Sequence, residues 1–240
     1  YHTDWVADRT IAWLERQADD RPWFAWMSFP DPHHPWDPPE RELGRVPWRD
    51  VPLPKLYSED PEKNLEALRS KGRHGAGSVD GTLWTNLESP RGFRPCDLTA
   101  DQLREINAVT HVENELIDEA CGRVLAWLEA RGWDENTDVF FTTDHGELQG
   151  DFGLLFKGPY HVDALMRLPL LWRPARSAPM APATVAAPVG HLDLAPTFCT
   201  IAGLPVPEWM EGRPLPTSQD RAERDHVLTE WRSEHGPVRI

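Results

Sequence analysis

Cysteine is scarce in this sequence, and its placement excludes two kinds of cysteine-based architecture. The 240 residues contain three cysteines, Cys96, Cys121 and Cys199, which are too few and too scattered for a disulfide framework or a zinc ribbon. We therefore expect reduced thiols with structural roles. No run of about 18 apolar residues occurs, so the sequence predicts no membrane span.

Positively charged residues are also fewer than negatively charged ones. The chain carries 25 Lys and Arg against 39 Asp and Glu, a formal net charge of −14, and it has no basic stripe with interleaved aromatics. This balance argues against a nucleic-acid partner, and it means that an anionic substrate must be attracted by a local cluster of cations. No signal peptide is present, which favours a cytoplasmic location. Tyr1 is not an initiator Met, however, so this absence says little about the parent protein.

Apolar periodicity and capping residues predict an α/β fold. With 40% apolar residues, the chain can bury a sizeable core as a single partial catalytic domain, residues 1–240. Thr99 and Gln102 form a capping-box pattern, and Gly132 is expected to stop the long helix that follows. A strand comes directly after this helix, an order typical of a crossover within a mostly parallel sheet flanked by helices. The predicted elements are helices at residues 3–17, 99–132 and 193–202 and strands at residues 23–29, 138–143 and 168–172.

A Pro- and Gly-rich insertion at about residues 37–95 interrupts this pattern, and only residues 59–71 have helical potential there. Segments of this length are usually either functional or disordered. The insertion begins beside His33 and carries Trp48 and Trp84, as a loop that covers a substrate would. A solvated insertion that packs its tryptophans on the core fits equally well, so both interpretations stay open.

The run Val-Phe-Phe-Thr-Thr-Asp-His-Gly at residues 139–146 carries the clearest chemical signal. A short apolar strand ends in a carboxylate and an imidazole, which is how an α/β enzyme presents ligands at the carboxyl end of a buried strand. Asp144 offers a hard anionic oxygen and His145 a neutral nitrogen, so the two could hold one divalent cation. Gly146 would let the backbone turn close beside it. Strand-end Asp and His residues also serve as helix caps, so the tripeptide alone leaves both interpretations open.

Several short motifs in a fixed order resemble those of the sulfatases, within the alkaline-phosphatase-like superfamily. Residues 142–147 are similar to the family's T-x-D-H-G-E segment, and residues 33–36 to its H-x-P-aromatic segment. The other matching segments are G-D-x-G-L-x-x-K-G-P-Y at residues 150–160, R-x-P-L-x-x-R at 167–173, D-L-x-P-T at 193–197, A-G-x-P at 202–205 and G-R at 212–213. The resemblance spans nearly the whole chain and implies an alkaline-phosphatase-like α/β fold that is incomplete in these residues.

The resemblance implies a sulfuric-ester hydrolase and assigns roles to particular residues. By the spacing of the family motifs, His33 contacts the sulfate or the leaving group, and Lys157 binds the sulfate. Asp144 and His145 become metal ligands, with Ca2+ favoured and Mn2+ or Zn2+ as alternatives. His161, four residues after Lys157, is grouped with the substrate-binding residues in a supporting or structural role.

Other polar residues near these motifs are assigned no direct chemical role. The resemblance assigns no direct chemistry to Glu147 or Asp151, although both closely follow the Asp-His pair. His34 could equally be a surface neighbour of the histidine before it. His191 and Asp193 are expected to be structural.

The sequence departs from the family pattern at the nucleophile. The family mechanism uses a formylglycine, made from the Cys or Ser of a C/S-x-P/A-x-R motif, whose hydrate attacks sulfur. None of the three cysteines stands in such a motif, and the family's early Asp-Asp metal segment is missing as well. We therefore expect the chain to be the central and C-terminal part of a larger sulfatase, with the formylglycine outside it, and to be inactive by itself.

Two other functions stay open. Phosphonate monoester and phosphodiester hydrolases of the same superfamily share the Asp-His pair and the Lys, and a non-catalytic remnant would keep the fold without the nucleophile. For an enzyme, the expected partner is a small-molecule sulfate, phosphate or phosphonate ester, and neither nucleic acid nor a membrane is expected. An incomplete sheet would expose a strand flank, so self-association of this chain is expected as well.

Overall fold

The structure, a computed structural model, describes most of the chain. The described residues are 1–17, 21–60, 62–64, 66–67, 98–158, 160–178, 180–217, 224–230, 232–233 and 236–237. The chain divides into two compact units, Tyr1–Arg176 and Ser177–Ile240. That both belong to one catalytic domain stays a prediction. Among the described residues, no helix combines the length and apolarity that a membrane span requires.

The first unit alternates helices with two strands. In chain order the elements are α1 (His2–Leu14), α2 (Ala100–Ala130), β1 (Val139–Thr142), α3 (Asp163–Met166) and β2 (Leu170–Arg173). Short 3-10 turns lie between them at Glu40–Glu42, Trp48–Asp50, Trp133–Glu135 and Asp151–Gly153. Of the helix predicted at residues 59–71, residues 62–64 and 66–67 are helical. Residues 68–97, which include nearly half of the predicted insertion, lie outside the described residues.

The ends of α2 follow directly from its sequence. At its start the Thr99 hydroxyl accepts a hydrogen bond from the Gln102 N–H (3.2 Å), while the Gln102 side chain accepts one from the Thr99 N–H (2.9 Å). This capping box satisfies two backbone donors near the helix start. Just past its end Gly132 adopts a left-handed backbone with a φ of +68°, which glycine tolerates best. Both predicted boundaries are confirmed.

α1 packs against the C-terminal half of α2 and forms an apolar core with it. Ala7 and Leu14 of α1 cluster with buried side chains of α2, namely Ala120, Val124 and Leu128. Complete burial of a Val or Leu side chain stabilises a fold by roughly 1.5–3 kcal/mol. Half-buried aromatic rings surround this cluster, namely Trp13, Trp23, Phe29, Trp127 and Trp133.

The strand predicted at residues 23–29 is wrong in one respect, because within the described residues this segment pairs with no other strand. Its side chains still alternate as in an extended chain: Trp23 and Met27 are half-buried, whereas Phe24 and Trp26 are exposed. One face packs on the α1–α2 core, and this packing requires no ladder of hydrogen bonds. The apolar run at residues 23–29 therefore indicated an extended, partly buried segment but could not indicate a pairing partner.

β1 and β2 pair antiparallel, with Val139 opposite Arg173 and Thr142 opposite Leu170. The sequence predicts a mostly parallel sheet; among the described residues both strand pairs are antiparallel. The 27 residues between β1 and β2 are long enough for a parallel crossover, but their regular structure is a 3-10 turn and the four-residue α3, and they return the chain antiparallel. The Phe140 and Trp172 rings stack across the pair with 5.0 Å between centroids.

The second unit is built around a short helix. α4 (Leu194–Ile201) follows a 3-10 turn at His191–Asp193. It ends near Gly203, whose φ is +67°. β3 (Arg232–Ser233) pairs antiparallel with β4 (Gly236–Pro237).

Asp193 is a buried hydrogen-bond acceptor in this unit. Its carboxylate accepts from the Gly190 N–H (2.9 Å), the Arg213 N–H (2.9 Å) and the Arg224 guanidinium (2.8 Å). Burial raises the pKa of Asp193, but these contacts lower it by more, so the net pKa lies below the usual range. The contacts join the start of α4 to two later segments, which is the kind of structural role that the sequence predicts.

Candidate active site

The end of β1 presents Asp144 and His145 side by side. The exposed Asp144 carboxylate accepts hydrogen bonds from the His145 N–H (2.9 Å) and the Thr143 hydroxyl (3.3 Å). His145 Nδ1 lies 2.8 Å from the carbonyl oxygen of Gly146, so Nδ1 carries the proton that this contact needs. Nε2 then keeps its lone pair, 3.6 Å from Asp144 Oδ2. An oxygen and a nitrogen at this separation can bind the same cation.

The charge state of Asp144 suits a cation ligand. Partial burial raises the pKa of Asp144, but the nearby His145 ring and the hydrogen bonds from His145 and Thr143 lower it by more. The net pKa lies below its usual range. The carboxylate is therefore ionised at neutral pH and has no proton to release before it binds a cation.

Gly146 brings the backbone of the site against α3. Its N–H donates to the carbonyl of Leu165 (3.0 Å). A Cβ at this position would lie 1.9 Å from the carbonyl oxygen of Ala164, so no larger residue fits without a backbone shift. The sequence predicts a glycine that turns the chain beside a cation. The structure shows a different reason for it, which is close contact with a helix.

Residues 147–157 form a loop that we call the site loop, with buried apolar side chains and a strained backbone. Gln149, Phe152 and Phe156 have positive φ angles of 47°, 59° and 65°. For residues other than glycine, such a conformation costs roughly 1–3 kcal/mol each. Leu148, Phe152 and Phe156 are buried, and their packing holds this backbone in place. The same packing orients Lys157, which directly follows Phe156.

Lys157 meets His33 across 124 residues of sequence, with 2.6 Å between Lys157 Nζ and His33 Nε2. His33 Nδ1 lies 2.6 Å from the carbonyl oxygen of His34 and donates its proton there. His33 Nε2 is then the acceptor for an N–H of the lysine ammonium. The structure thus brings together the two residues to which the sequence assigns contacts with the sulfate ester.

Aromatic packing joins the two segments that carry Lys157 and His33. The Phe156 ring stacks on Trp36, with 5.8 Å between centroids and 4° between planes, and it packs on His34 at 4.5 Å. Such ring pairs are worth about 0.5–1.5 kcal/mol each beyond their area burial. Because Phe156 and Lys157 are consecutive, docking of these rings places Lys157 Nζ beside the His33 ring.

Glu147 lies among these residues, although the sequence assigns it no chemistry. Its Oε1 atom is buried and has no hydrogen-bond partner among the described residues. Burial raises the pKa of Glu147, and the charges of Lys157, His145 and His33 oppose this rise. Since all three groups act on one carboxyl, Glu147 lies near Lys157, His145 and His33. Only its position directly after Asp-His-Gly signals this in the sequence.

Other candidate residues lie outside the contacts just described. His161 is half-buried just before α3, and the hydrogen bonds that join Lys157 to His33 do not include it. Asp151 accepts a hydrogen bond from the Leu56 N–H (3.2 Å) and so ties the site loop to a neighbouring segment. Among the described residues, no group of three or more His, Cys, Asp and Glu side chains could hold a metal ion.

A family model for sulfatases matches residues 1–204, which is most of the chain. The chain belongs to the sulfatase family. An uncharacterized sulfatase of Escherichia coli is 30% identical over 211 residues, which cover 86% of this chain and 37% of that protein. An arylsulfatase of Clostridium perfringens is 29% identical over 216 residues, which cover 89% of this chain and 40% of that protein. The chain therefore spans about two fifths of the length of these curated relatives.

Solved structures agree with the family. The phosphonate monoester hydrolase SpPMH of Silicibacter pomeroyi matches with a TM-score of 0.73 at 25% sequence identity, covering 97% of this chain and 43% of that one. The fold is thus the alkaline-phosphatase-like α/β fold that the sequence predicts, and these residues form part of it.

Membership of this family implies a divalent metal, and Asp144 and His145 fit part of such a site. They offer an ionised carboxylate and an imidazole lone pair 3.6 Å apart. Divalent cations in proteins take about four ligands (Zn2+) or about six to eight (Ca2+). Two side chains are fewer ligands than either ion takes, so Asp144 and His145 form only part of a metal site.

Proposed function

We propose that the protein hydrolyses the sulfate ester of a small molecule. The observation that carries this proposal is the contact between Lys157 and His33 in a chain of the sulfatase family. Lys157 ends the site loop, which begins just after the Asp144–His145 pair. A chain with a net charge of −14 repels anions overall, so a local cluster of an ammonium, imidazoles and a cation is what an anionic ester requires.

Lys157 has the role of binding the ester oxygens. Its ammonium has three N–H donors, so it can contact an anionic oxygen next to His33. Such a contact strengthens as negative charge develops in the transition state, and removal of a comparable donor typically lowers kcat by about 10²–10³-fold. His161, half-buried just before α3, has the role of supporting this part of the substrate site.

His33 has the role of protonating the leaving alcohol. Its Nδ1 is engaged by the His34 carbonyl, so Nε2 is the atom that exchanges a proton, and it lies beside the Lys157 ammonium. With the ester bound, Nε2 would take up a proton from solvent in place of the hydrogen bond from Lys157, and this proton would pass to the ester oxygen as the bond between that oxygen and sulfur breaks. General-acid assistance of this kind contributes typically about 10²–10⁴-fold to the rate.

Asp144 and His145 would hold a divalent cation, with Ca2+ favoured and Mn2+ or Zn2+ as alternatives. Bound there, the cation would withdraw charge from the ester oxygens. The Gly146 carbonyl holds the His145 ring through Nδ1 and leaves Nε2 for this role. The formylglycine nucleophile is proposed to lie outside these 240 residues, because no cysteine of the chain stands in the modification motif.

A phosphonate monoester or phosphodiester hydrolase is the second candidate, and the similarity to SpPMH favours it. A phosphonate monoester or a phosphodiester carries one negative charge on a tetrahedral centre, as a sulfate ester does. The Lys157–His33 contact could therefore serve either reaction.

The test compares p-nitrophenyl sulfate with p-nitrophenyl phenylphosphonate and bis-p-nitrophenyl phosphate as substrates of the whole protein. We expect the highest kcat/KM on the sulfate and a loss of about 10²–10³-fold in the Lys157→Ala variant. Lys55→Ala, at an exposed lysine, is the matched control and should keep wild-type activity. A higher kcat/KM on the phosphonate or the diester would favour the second candidate. No turnover of any ester would favour the non-catalytic remnant.

Self-association of the 240-residue chain is also proposed. The large apolar side chains of Phe24, Trp26 and Leu171 are 61%, 69% and 65% exposed. Association of two chains could remove this apolar surface from water. Size-exclusion chromatography at rising concentration tests it, with a Phe24→Ser/Trp26→Ser double variant as the control. A monomeric wild-type chain at all concentrations would contradict the proposal.

A further inference from the structure

One face of α2 carries three buried polar residues at intervals of three positions, Asn107, Thr110 and Glu113, which we call the α2 polar stripe. Asn107 and Thr110 are 8% exposed and Glu113 is fully buried. Intervals of three place the side chains on one helix face. Burial of polar groups is costly unless hydrogen bonds compensate it, so the partners of the stripe indicate its purpose.

Two members of the stripe hold the site loop. The Asn107 amide donates to the carbonyl oxygen of Gln149 (3.1 Å), and the Thr110 hydroxyl accepts from the Gln149 side-chain amide (3.1 Å). Gln149 is one of the residues with a positive φ, and it lies between His145 and Lys157 in sequence. The stripe therefore anchors the loop at a strained position.

The third member holds the segment that carries His33. Glu113 Oε1 accepts a hydrogen bond from the Asp37 N–H at 3.0 Å, across 76 residues of sequence. At the other end of this segment, the buried Asp31 carboxylate accepts hydrogen bonds from His2 and Thr3 of α1. The seven-residue span from 31 to 37 is thus held at both ends, with His33 between the two attachment points.

We propose that Glu113 is a positioning residue of the active site: by holding the Asp37 N–H it sets the place of His33 relative to Lys157. This inference rests on the proposed function, since it concerns the same site. One helix face then anchors both segments that supply the site, through Gln149 on one side and Asp37 on the other. A single rigid element between the two segments keeps the His33–Lys157 separation short.

A purely structural role explains Glu113 poorly. Its Oε2 atom is buried and has no hydrogen-bond partner among the described residues. Burial, together with the charges of Asp31 and Asp37, raises the pKa of Glu113 to about 8. An apolar residue of similar size would remove these costs and is expected to leave stability unchanged or higher. It would also release the Asp37 N–H, which is the contact that the proposal depends on.

The experiment uses the whole protein with two substitutions at this position and one control. Glu113→Leu removes the acceptor, whereas Glu113→Gln keeps a side-chain oxygen that can accept from Asp37. Glu105→Leu, at an exposed position of the same helix, is the matched control. For each variant we would measure kcat and KM on the preferred ester, the urea midpoint, and the 15N resonances of the His33 ring, assigned with His33→Gln.

For Glu113→Leu we expect kcat to fall about tenfold, because small misplacements of reacting groups are costly, with little change in KM. We also expect an unchanged or higher urea midpoint and a shifted His33 Nε2 resonance, while Glu113→Gln and Glu105→Leu keep the wild-type kcat and the wild-type His33 resonance. Wild-type kcat in Glu113→Leu, an equal loss in Glu113→Gln, or failure of Glu113→Leu to fold would overturn the proposal. If the wild-type protein turns over no ester, the proposed function fails, and the His33 resonance still decides the position of the ring.

Discussion

α2 and the site loop belong to the same unit, but different forces determine their backbones. α2 has 31 regular residues that begin at a capping box and end at Gly132, all defined by neighbours in the sequence. The site loop holds Gln149, Phe152 and Phe156 at positive φ, which no local preference favours. Its conformation depends on distant partners such as Trp36. Where chemistry is needed, this chain uses strained backbone supported by tertiary packing.

The largest effect is expected when the 240 residues are assayed without the rest of the protein. The 240 residues alone should show no formylglycine-dependent turnover of p-nitrophenyl sulfate, while the whole protein is active, because loss of a nucleophile typically costs several orders of magnitude. Hydrolysis rates of both, each with a Lys157→Ala variant, provide the measurement. Turnover by the 240 residues that Lys157→Ala abolishes would mean that the chain contains a nucleophile of its own.

Gly146→Ala, directly before the site loop, should destabilise the protein, whereas a glycine-to-alanine change within α2 should not. A Cβ at Gly146 would lie 1.9 Å from the Ala164 carbonyl oxygen, so we expect the free energy of unfolding to fall by about 2–3 kcal/mol. Gly122→Ala in α2 is the matched control, since no atom lies within 4 Å of its added Cβ. It should stabilise by roughly 0.5–1 kcal/mol through helix propensity. Urea unfolding measures both, and equal effects would remove the distinction between the two regions.

Glu113 should make the stability of the protein depend on pH, because it is a buried carboxyl group on α2. In the folded chain the pKa of Glu113 is about 8, against 4.5 ordinarily, so the folded state keeps a proton that the unfolded state loses. Stability from this group is complete below pH 4.5 and is lost as pH rises through about 8, by at most about 1.4 kcal/mol per pH unit. Glu113→Gln should lack this slope. Parallel urea curves for both proteins between pH 5 and 8 would contradict the prediction.

The smallest effect is expected at the start of α2. Thr99→Ala removes the hydroxyl that accepts from the Gln102 N–H, so we expect a loss of about 1 kcal/mol in the free energy of unfolding. Thr99→Ser keeps the hydroxyl and should retain most of the stability. The effect should be confined to stability, because among the described residues the hydrogen bonds of the cap join Thr99 to Gln102 and to no residue of the site. A change in kcat of the whole protein in Thr99→Ala would link the helix end to the active site.

Local and apolar signals accounted for much of the first unit. Both helix boundaries of α2, the position of β1, and the placement of Asp144 and His145 at its end were predictable from capping residues and apolar runs. The pairing of β1 with β2 was not, because alternation reports which face is buried and not which strand is adjacent. Glu147 and Glu113 were missed because an acidic residue in a sequence carries no mark of its burial.

The sequence by itself determined α1, α2 and α4, the ends of β1, the family and the residue types available for an anionic ester, but it gave no sign of α3. Only the tertiary structure decided that Lys157 lies 2.6 Å from His33, that Phe156 docks on Trp36, and that one face of α2 anchors both segments. The physical reason is the range of the forces. Caps and helical periodicity act within a few residues, whereas a contact across 124 residues exists only once burial of apolar surface has offset the entropy of closing the loop.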